Sequence, residues 1–396
     1  MRIALVTFSF TPESPGGVST VLIRILGILQ SNLTAKIDIF SFRNSRDKTR
    51  PKQFFRGIRE LNSKMVTIGS YENCDIFEIE SFFSSLEVMR YQKRTELQKQ
   101  FESYDLVIVV TGILQFVNVI PEISRPILVQ CATRLKWERK SQYPEMPPLK
   151  RVVLKLQVPI LAIMERRVVR SKAKFLTENV RMGDWIAKRS ISPPDLWYPP
   201  VPNSKAKMVL PGDAKQYFIS VGRFNDRRKG WSRLVDAYAL AVSACPDLPE
   251  LIIIGWGDFP EYLRRKLKLL ETQCQIHIFP NISDSERDKY LTGASYFLQT
   301  SFEEGLGIAA LEALRVGTPL ICSDTDGSRE YIRDGITGAR VPQGRRFTEA
   351  FSEKLIESQT WDHKRLRETS LEFFEKNFSK DVSTAKFLQL ISRIVD

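Results

Sequence analysis

Residues 296–322 read YFLQTSFEEGLGIAALEALRVGTPLIC. Within them 296–299 has the look of a strand, 305–316 of a helix and 319–322 of a second strand. Parallel neighbours need a crossover, and a helix is the usual one. The same rhythm extends outward in both directions. Strands are expected at 216–221, 251–254 and 276–279, with helices at 230–243, 260–270, 284–291 and 347–358. Toward the N-terminus, strands are expected at 2–8, 36–42, 65–68, 106–110 and 127–131, and helices at 18–29, 80–101 and 149–170. Such alternation predicts an α/β fold of doubly wound parallel sheets with helices on both faces.

The rhythm breaks once. Residues 192–213 hold prolines 193, 194, 199, 200, 202 and 211, a composition that suits a linker. The expected organisation is an N-terminal domain over 1–198, a linker over 199–214 and a second domain over 215–378. A last helix, 379–396, should return to the first domain with Ala385, Leu388, Ile391 and Val395 on its docking face. Two Rossmann-like domains facing across a cleft would bind ligands at the carboxyl ends of their strands.

Composition narrows the function. With 43% hydrophobic and 27% charged residues the chain is globular, which excludes collagen-like and disordered classes. No stretch approaches the ~18 apolar residues of a membrane span. The opening MRIALVTFSF lacks a small-residue cleavage site and reads as a strand. The 5 cysteines are widely spaced without a C-x-x-C, as in a cytoplasmic protein with reduced thiols. Only 2 histidines, His277 and His363, are present, so histidine-rich metal sites are excluded.

The formal net charge of +13 is uneven. Residues 1–200 hold 31 Lys and Arg against 19 Asp and Glu, whereas 201–396 hold 28 against 27. The excess concentrates at 43–59 and 134–174. A basic half suits an anionic membrane surface, an anionic acceptor or nucleic acid. On a helical projection of 149–170, Arg151, Lys155, Arg166 and Arg170 share one side, with Val153, Leu156, Ile160 and Met164 opposite. Pro159 is expected to kink this helix.

The densest chemistry lies at 301–338. Glu304 and Glu312 are eight positions apart, ~800° of helix, so both can look toward one side from successive levels. Gly305, Leu306 and Gly307 would bare backbone N–H groups at a helix start, a site for phosphate. Carboxylates accept hydrogen bonds from vicinal hydroxyls. A second stretch, VGRFNDRRKG at 221–230, puts Arg223 just past a strand and Lys229 before a helix. Two cations beside Gly222 and Gly230 suit a diphosphate, Arg as a fork and Lys as a point charge.

With these features together, the sequence resembles the retaining glycosyltransferases of family 4, which have the two-Rossmann GT-B fold. The resemblance rests on Gly16-Gly17, Arg223-x5-Lys229-Gly230, LIIIGWGDFPEYL at 251–263 and Glu304-x7-Glu312 with its tail. It covers most of 215–340 and, more loosely, the whole chain. It implies that Arg223 and Lys229 grip and stabilise the leaving diphosphate of a sugar nucleotide, UDP- or GDP-linked. Glu312 would hold the ribose, Glu304 the transferred sugar, and the amides of Gly305, Leu306 and Gly307 would lie near sugar and phosphate. Ile282 would meet the base through its backbone, and Gly16 and Gly17 would let a loop approach the phosphates. Arg223, Lys229 and Glu304 are thus the expected catalytic group.

The resemblance has one departure. The family often carries a histidine after an N-terminal strand, where this chain has ILVQCATRL at 127–135; Gln130 and Thr133 are candidates for that place. Asp324-Thr325-Asp326 has the spacing by which other glycosyltransferases hold a divalent ion, but it lies where family 4 has an ordinary loop. No metal and no cofactor are expected. Cys131 lacks a nearby histidine to activate it and reads as a buried thiol.

The reading is therefore a cytoplasmic, metal-independent retaining hexosyltransferase, peripheral on the inner membrane face, with a lipid-linked or anionic acceptor. Its membrane binding should be electrostatic and released by high salt. A sugar-nucleotide epimerase or hydrolase on the same fold is the alternative. A nucleic-acid-binding role is disfavoured, because the basic stretches lack the interleaved aromatics of a known module.

Overall fold

The computed structural model describes residues 1–12, 16–44, 65–81, 87–142, 147–204, 217–270 and 274–395. The chain forms two units, Met1–Pro199 with Thr384–Asp396, and Pro200–Ser383. Most of the basic stretch 43–59 and Pro211 lie outside the described residues.

The first unit contains strands β1 (Arg2–Phe8), β2 (Lys36–Asn44), β3 (Met65–Tyr71), β4 (Cys74–Ser81), β5 (Leu106–Ile113), β6 (Ile127–Thr133), β7 (Lys174–Thr177) and β8 (Asp195–Leu196). They form one sheet in the order β3-β4-β2-β1-β5-β6-β7-β8. Every pair is parallel except β3 with β4. Leu5 stands between Ile39 and Ile108. Ile3 to Val6 and Leu106 to Val110 are fully buried, as strands covered on both faces must be.

Three expectations fail here. Residues 80–101 are not one helix. Glu80 belongs to β4, and short helical turns follow at Glu87–Arg90, Thr95–Leu97 and Gln98–Glu102. The acids of CDIFEIES hid the strand; Glu78 is buried because Arg43 pairs with it. The helix Pro148–Val169 runs through Pro159, but its inward face is not the one projected. Leu154, Gln157, Leu161, Glu165 and Val168 are buried, while Leu156 and Ile160 are exposed. Two polar residues turn inward because each has a partner. Gln157 accepts from the Val88 amide at 3.2 Å, and Glu165 takes Arg134 at 2.6 Å. In the last helix, Lys380–Val395, the buried apolar residues are Phe387, Leu390 and Ile391, with Ala385 and Val395 exposed. Phe387 packs on Trp197 with ring centroids 5.0 Å apart, and Arg393 meets Asp195 at 3.1 Å.

The second unit contains β9 (Tyr217–Arg223), β10 (Glu250–Trp256), β11 (Ile276–Pro280), β12 (Tyr296–Gln299), β13 (Leu320–Ser323) and β14 (Gly338–Val341). Their order is β11-β10-β9-β12-β13-β14, all parallel. The chain winds outward from β9 to β11, then returns to β12 on the other side of β9. The winding reverses between β9 and β12, and ligands of open α/β sheets sit outside the carboxyl ends of such a pair. Strand β14 escaped the sequence reading because it is four residues long and opens on Gly338. A Cβ on Gly338 would fall 1.8 Å from the Leu320 carbonyl oxygen, so glycine is what lets β14 lie against β13.

Candidate functional site

The loops leaving β9 and β12 are built against each other. After Arg223, buried Phe224 packs on Trp231 and Phe259, anchoring the turn. Asp226 then caps the 3₁₀ turn Arg227–Lys229 by accepting from the Arg228 amide at 3.1 Å. Gly230 has φ +68°, and a Cβ there would stand 2.3 Å from the Thr300 carbonyl oxygen. Only glycine permits that approach. The Thr300 hydroxyl donates to the carbonyls of Lys229 and Gly230, at 3.2 and 3.1 Å.

This seam places Lys229 Nζ 2.6 Å from Glu304 Oε1. The same oxygen accepts from Ser301 Oγ at 2.7 Å and Gln299 Nε2 at 3.4 Å. Lysine has three donors, so the ammonium keeps capacity for an anion while Glu304 holds it. Arg223, half exposed, meets Asp226 at 3.1 Å. Burial opposes the charge on Asp226, but the hydrogen bonds and charge of Arg228, with Lys229 and Arg223 beside it, hold the carboxyl down at about 2. The Asp226 carboxylate is thus charged at neutral pH and well below it.

The eight-residue projection of Glu304 and Glu312 does not hold. The helix is Ile308–Arg315, and Gly307 at φ +91° is its N-cap, so Glu304 belongs to the loop before it. A Cβ on Gly307 would meet the Tyr331 hydroxyl at 2.5 Å; that hydroxyl donates to Gln299 Oε1 at 3.1 Å. A Cβ on Gly327 would lie 2.3 Å from the Leu306 carbonyl, and the Gly327 amide donates to Glu304 O at 2.9 Å. Gly305, Leu306 and Gly307 therefore form a tight turn directly before a helix start, with Leu306 buried. Glu312 is buried in the helix and has Arg287 at 3.6 Å, a cation that sequence reasoning overlooked. Ile282 follows β11 beside Asn281, whose side chain accepts from the Gly257 amide at 3.0 Å.

Arg233 is the largest omission of the sequence reading. Its guanidinium donates to the carbonyls of Thr300 and Ser301 and, at 2.9 Å, to Gln343 Oε1. It lies between the rings of Phe302 and Phe347, 3.9 Å from each centroid. Burial pulls this group down to about 9, so it stays protonated at neutral pH. Asp324 meets Arg329 through two contacts of 2.8 Å, and Asp326 lies 3.9 Å from the same guanidinium.

In the first unit Gly16 is the N-cap of the helix Gly17–Asn32, and a Cβ on Gly17 would meet nothing within 4 Å. The fold itself does not require glycine at 17. Thr133 is buried, and buried Gln130 donates to Glu178 Oε1 at 2.7 Å. The Cys131 thiol is fully buried, and burial pushes it far up. Burial likewise pushes the Glu178 carboxyl up to about 7, against the lowering effects of Arg24 and the Gln130 hydrogen bond. A carboxyl raised from its ordinary 4.5 stabilises the fold below that value, and the contribution is lost as pH rises through about 7. Thermal melts of the wild type should therefore fall between about pH 5 and 7, by up to a few kcal/mol at roughly 1.4 kcal/mol per unit. Glu178→Gln should flatten that slope; an unchanged slope would contradict the assignment.

Residues 203–369 match the family Glycosyl transferases group 1. Over 127 residues the chain is 33% identical to the phosphatidyl-myo-inositol mannosyltransferase of Mycobacterium leprae, covering 32% of this chain and 33% of that protein. The chain thus spans about a third of the length of that relative. Sucrose-phosphate synthase from Thermosynechococcus elongatus superposes with TM-score 0.70 at 18% identity, over 99% of this chain and 98% of that one. HepE of Anabaena, solved with UDP and glucose, superposes with TM-score 0.66 at 13% identity, over 99% and 100%.

Proposed function

We propose that this chain, a glycosyltransferase family 4-like protein of the GT-B fold, moves a hexose from a UDP- or GDP-sugar to an acceptor hydroxyl with retention at the anomeric carbon. The observation that carries the reading is the Lys229–Glu304 pair, held where the winding of the second sheet reverses and directly before a glycine-capped helix start. A diphosphate leaving there meets Lys229, Arg223 and the N–H groups of the 305–307 turn. Stabilising that developing charge is the main catalytic effect. Glu304 orients Lys229 and accepts from the sugar hydroxyls, and Glu312 accepts from the ribose. The match to the group 1 family supports sugar transfer, and the UDP and glucose in HepE support the donor class. The acceptor is lipid-linked or anionic and is met on the inner face of a membrane. The mannosyltransferase relative, named for phosphatidyl-myo-inositol, supports a lipid, and no helix among the described residues is long and apolar enough to cross a membrane. Transfer needs no divalent ion, because Asp324 and Asp326 face Arg329 and cationic side chains match the diphosphate.

Calorimetry with the free nucleoside diphosphate tests the division of roles. Glu312→Gln should weaken the nucleotide by about 10-fold, whereas Glu304→Gln should leave its affinity within about 2-fold and impair transfer. Equal weakening by both would defeat the reading, as would transfer abolished by EDTA and restored by magnesium or manganese.

A further inference from the structure

The helix Pro148–Val169 carries an apolar stripe that faces away from the protein. Leu149, Val152, Leu156, Ile160 and Ile163 are between 50% and 78% exposed. At ~100° per residue they fall within an arc of roughly 80°. Cations border that arc: Lys155 and Arg166 lie on one flank, Arg167 follows the apolar residues in the last turn, and Arg170 is the C-cap, all exposed. The helix has a single acid, Glu165, and it is buried against Arg134.

A cavity of about 280 Å³ opens on the same flank, lined by Arg134, Lys136, Pro159, Arg166, Trp185 and Arg189 among others. Trp185 carries Arg134 at 3.8 Å and Arg189 at 4.8 Å from its ring centroid, which fixes both guanidinium groups. Four cations line the cavity, and Glu165 answers one of them. Lys136 and Arg166 have no acidic partner among the described residues.

From this arrangement we infer that the first unit has a built site for an anionic bilayer: the cavity takes a lipid phosphate while the neighbouring stripe enters the acyl boundary. Phosphate suits a cluster of planar guanidinium forks. An exposed apolar helical face bordered by Lys and Arg is the pattern of a helix lying in the membrane interface. A folded protein gains nothing by holding five large apolar side chains in water. The inference deepens the membrane part of the proposed function. It also changes the salt response, since the apolar contribution is not screened.

Co-sedimentation with phosphatidylglycerol and phosphatidylcholine vesicles at 0.1 and 1 M salt tests it. The proteins are the wild type, Leu156→Asp/Ile163→Asp and Arg166→Glu/Arg189→Glu, each checked by circular dichroism and by nucleotide binding. Wild type should bind phosphatidylglycerol far more tightly than phosphatidylcholine at 0.1 M salt, and part of that binding should survive 1 M salt. The aspartate variant should lose the salt-resistant part. The charge reversal should weaken binding at 0.1 M by more than about 20-fold, since each cation near the surface is worth about five-fold. If wild type binds and both folded variants bind equally well, this surface is not the site and the inference falls, with the membrane reading intact. If wild type does not bind, both fall, whether or not it forms a dimer that Leu156→Asp/Ile163→Asp dissolves. Sugar transfer is measured separately with a soluble donor.

Discussion

Lys229→Ala should reduce transfer by about 10- to 150-fold, the value of one charge-assisted hydrogen bond of ~1.5–3 kcal/mol made to a charge that grows as the donor bond breaks. The fall should appear in kcal terms mostly in kcat, because the ammonium meets the diphosphate best when its negative charge is greatest. Arg223→Ala should act in the same direction but less strongly: Arg223 is half exposed, and solvent screens its contacts. Neither variant should melt far from the wild type. Lys229 is paired with Glu304 at 2.6 Å, yet Glu304 keeps Ser301 and Gln299 as donors when the lysine is gone. Steady-state kinetics with a saturating donor, beside thermal melts, give the answer. Wild-type kcat in Lys229→Ala would remove the lysine from the mechanism.

The strands were legible wherever the sheet is covered on both faces, because Leu5, Ile108 and Ile253 sit in unbroken apolar runs. Strand β4 was not, since Glu78 is buried only by virtue of Arg43, 35 positions away in the sequence and on the neighbouring strand. The Pro148–Val169 helix shows the same limit in reverse. Its apolar residues outnumber what one face can bury, and Gln157 and Glu165 take inward places because partners exist for them there. A projection that sorts by hydrophobicity alone turns such a helix the wrong way. At the candidate site the glycines and cations were readable as residue types beside strand ends. The pairing of Lys229 with Glu304 was not, because it depends on β9 and β12 being neighbours, a fact of topology. The role of Arg233 was hidden for the same reason. Its three acceptors come from residues 300, 301 and 343.

Arg233→Ala should destabilise the second unit by roughly 2–4 kcal/mol, from charged hydrogen bonds of ~1.5–3 kcal/mol each and a cation–π contribution, less relaxation and water entry. For a domain of this size that lowers the melting temperature by about 5–15 °C. The lost partners are the carbonyls of Thr300 and Ser301, and Gln343 alone, donating to Ser301 O at 3.0 Å, cannot replace both. Arg233→Lys should recover little: one ammonium cannot reach two carbonyls and also fill the flat space between Phe302 and Phe347. Two units need not melt together, so the transition to follow is the one that a nucleoside diphosphate raises. The functional consequence follows from the same geometry. Ser301 Oγ, which steadies Glu304 at 2.7 Å, hangs from the segment that Arg233 pins. Loosening that segment should disturb Glu304 and Lys229 together, so Arg233→Ala should cost more transfer than Glu304→Gln even at a temperature where the variant is fully folded. A variant that melts within a degree of the wild type and keeps its kcat would show that the two loops hold their places without this arginine.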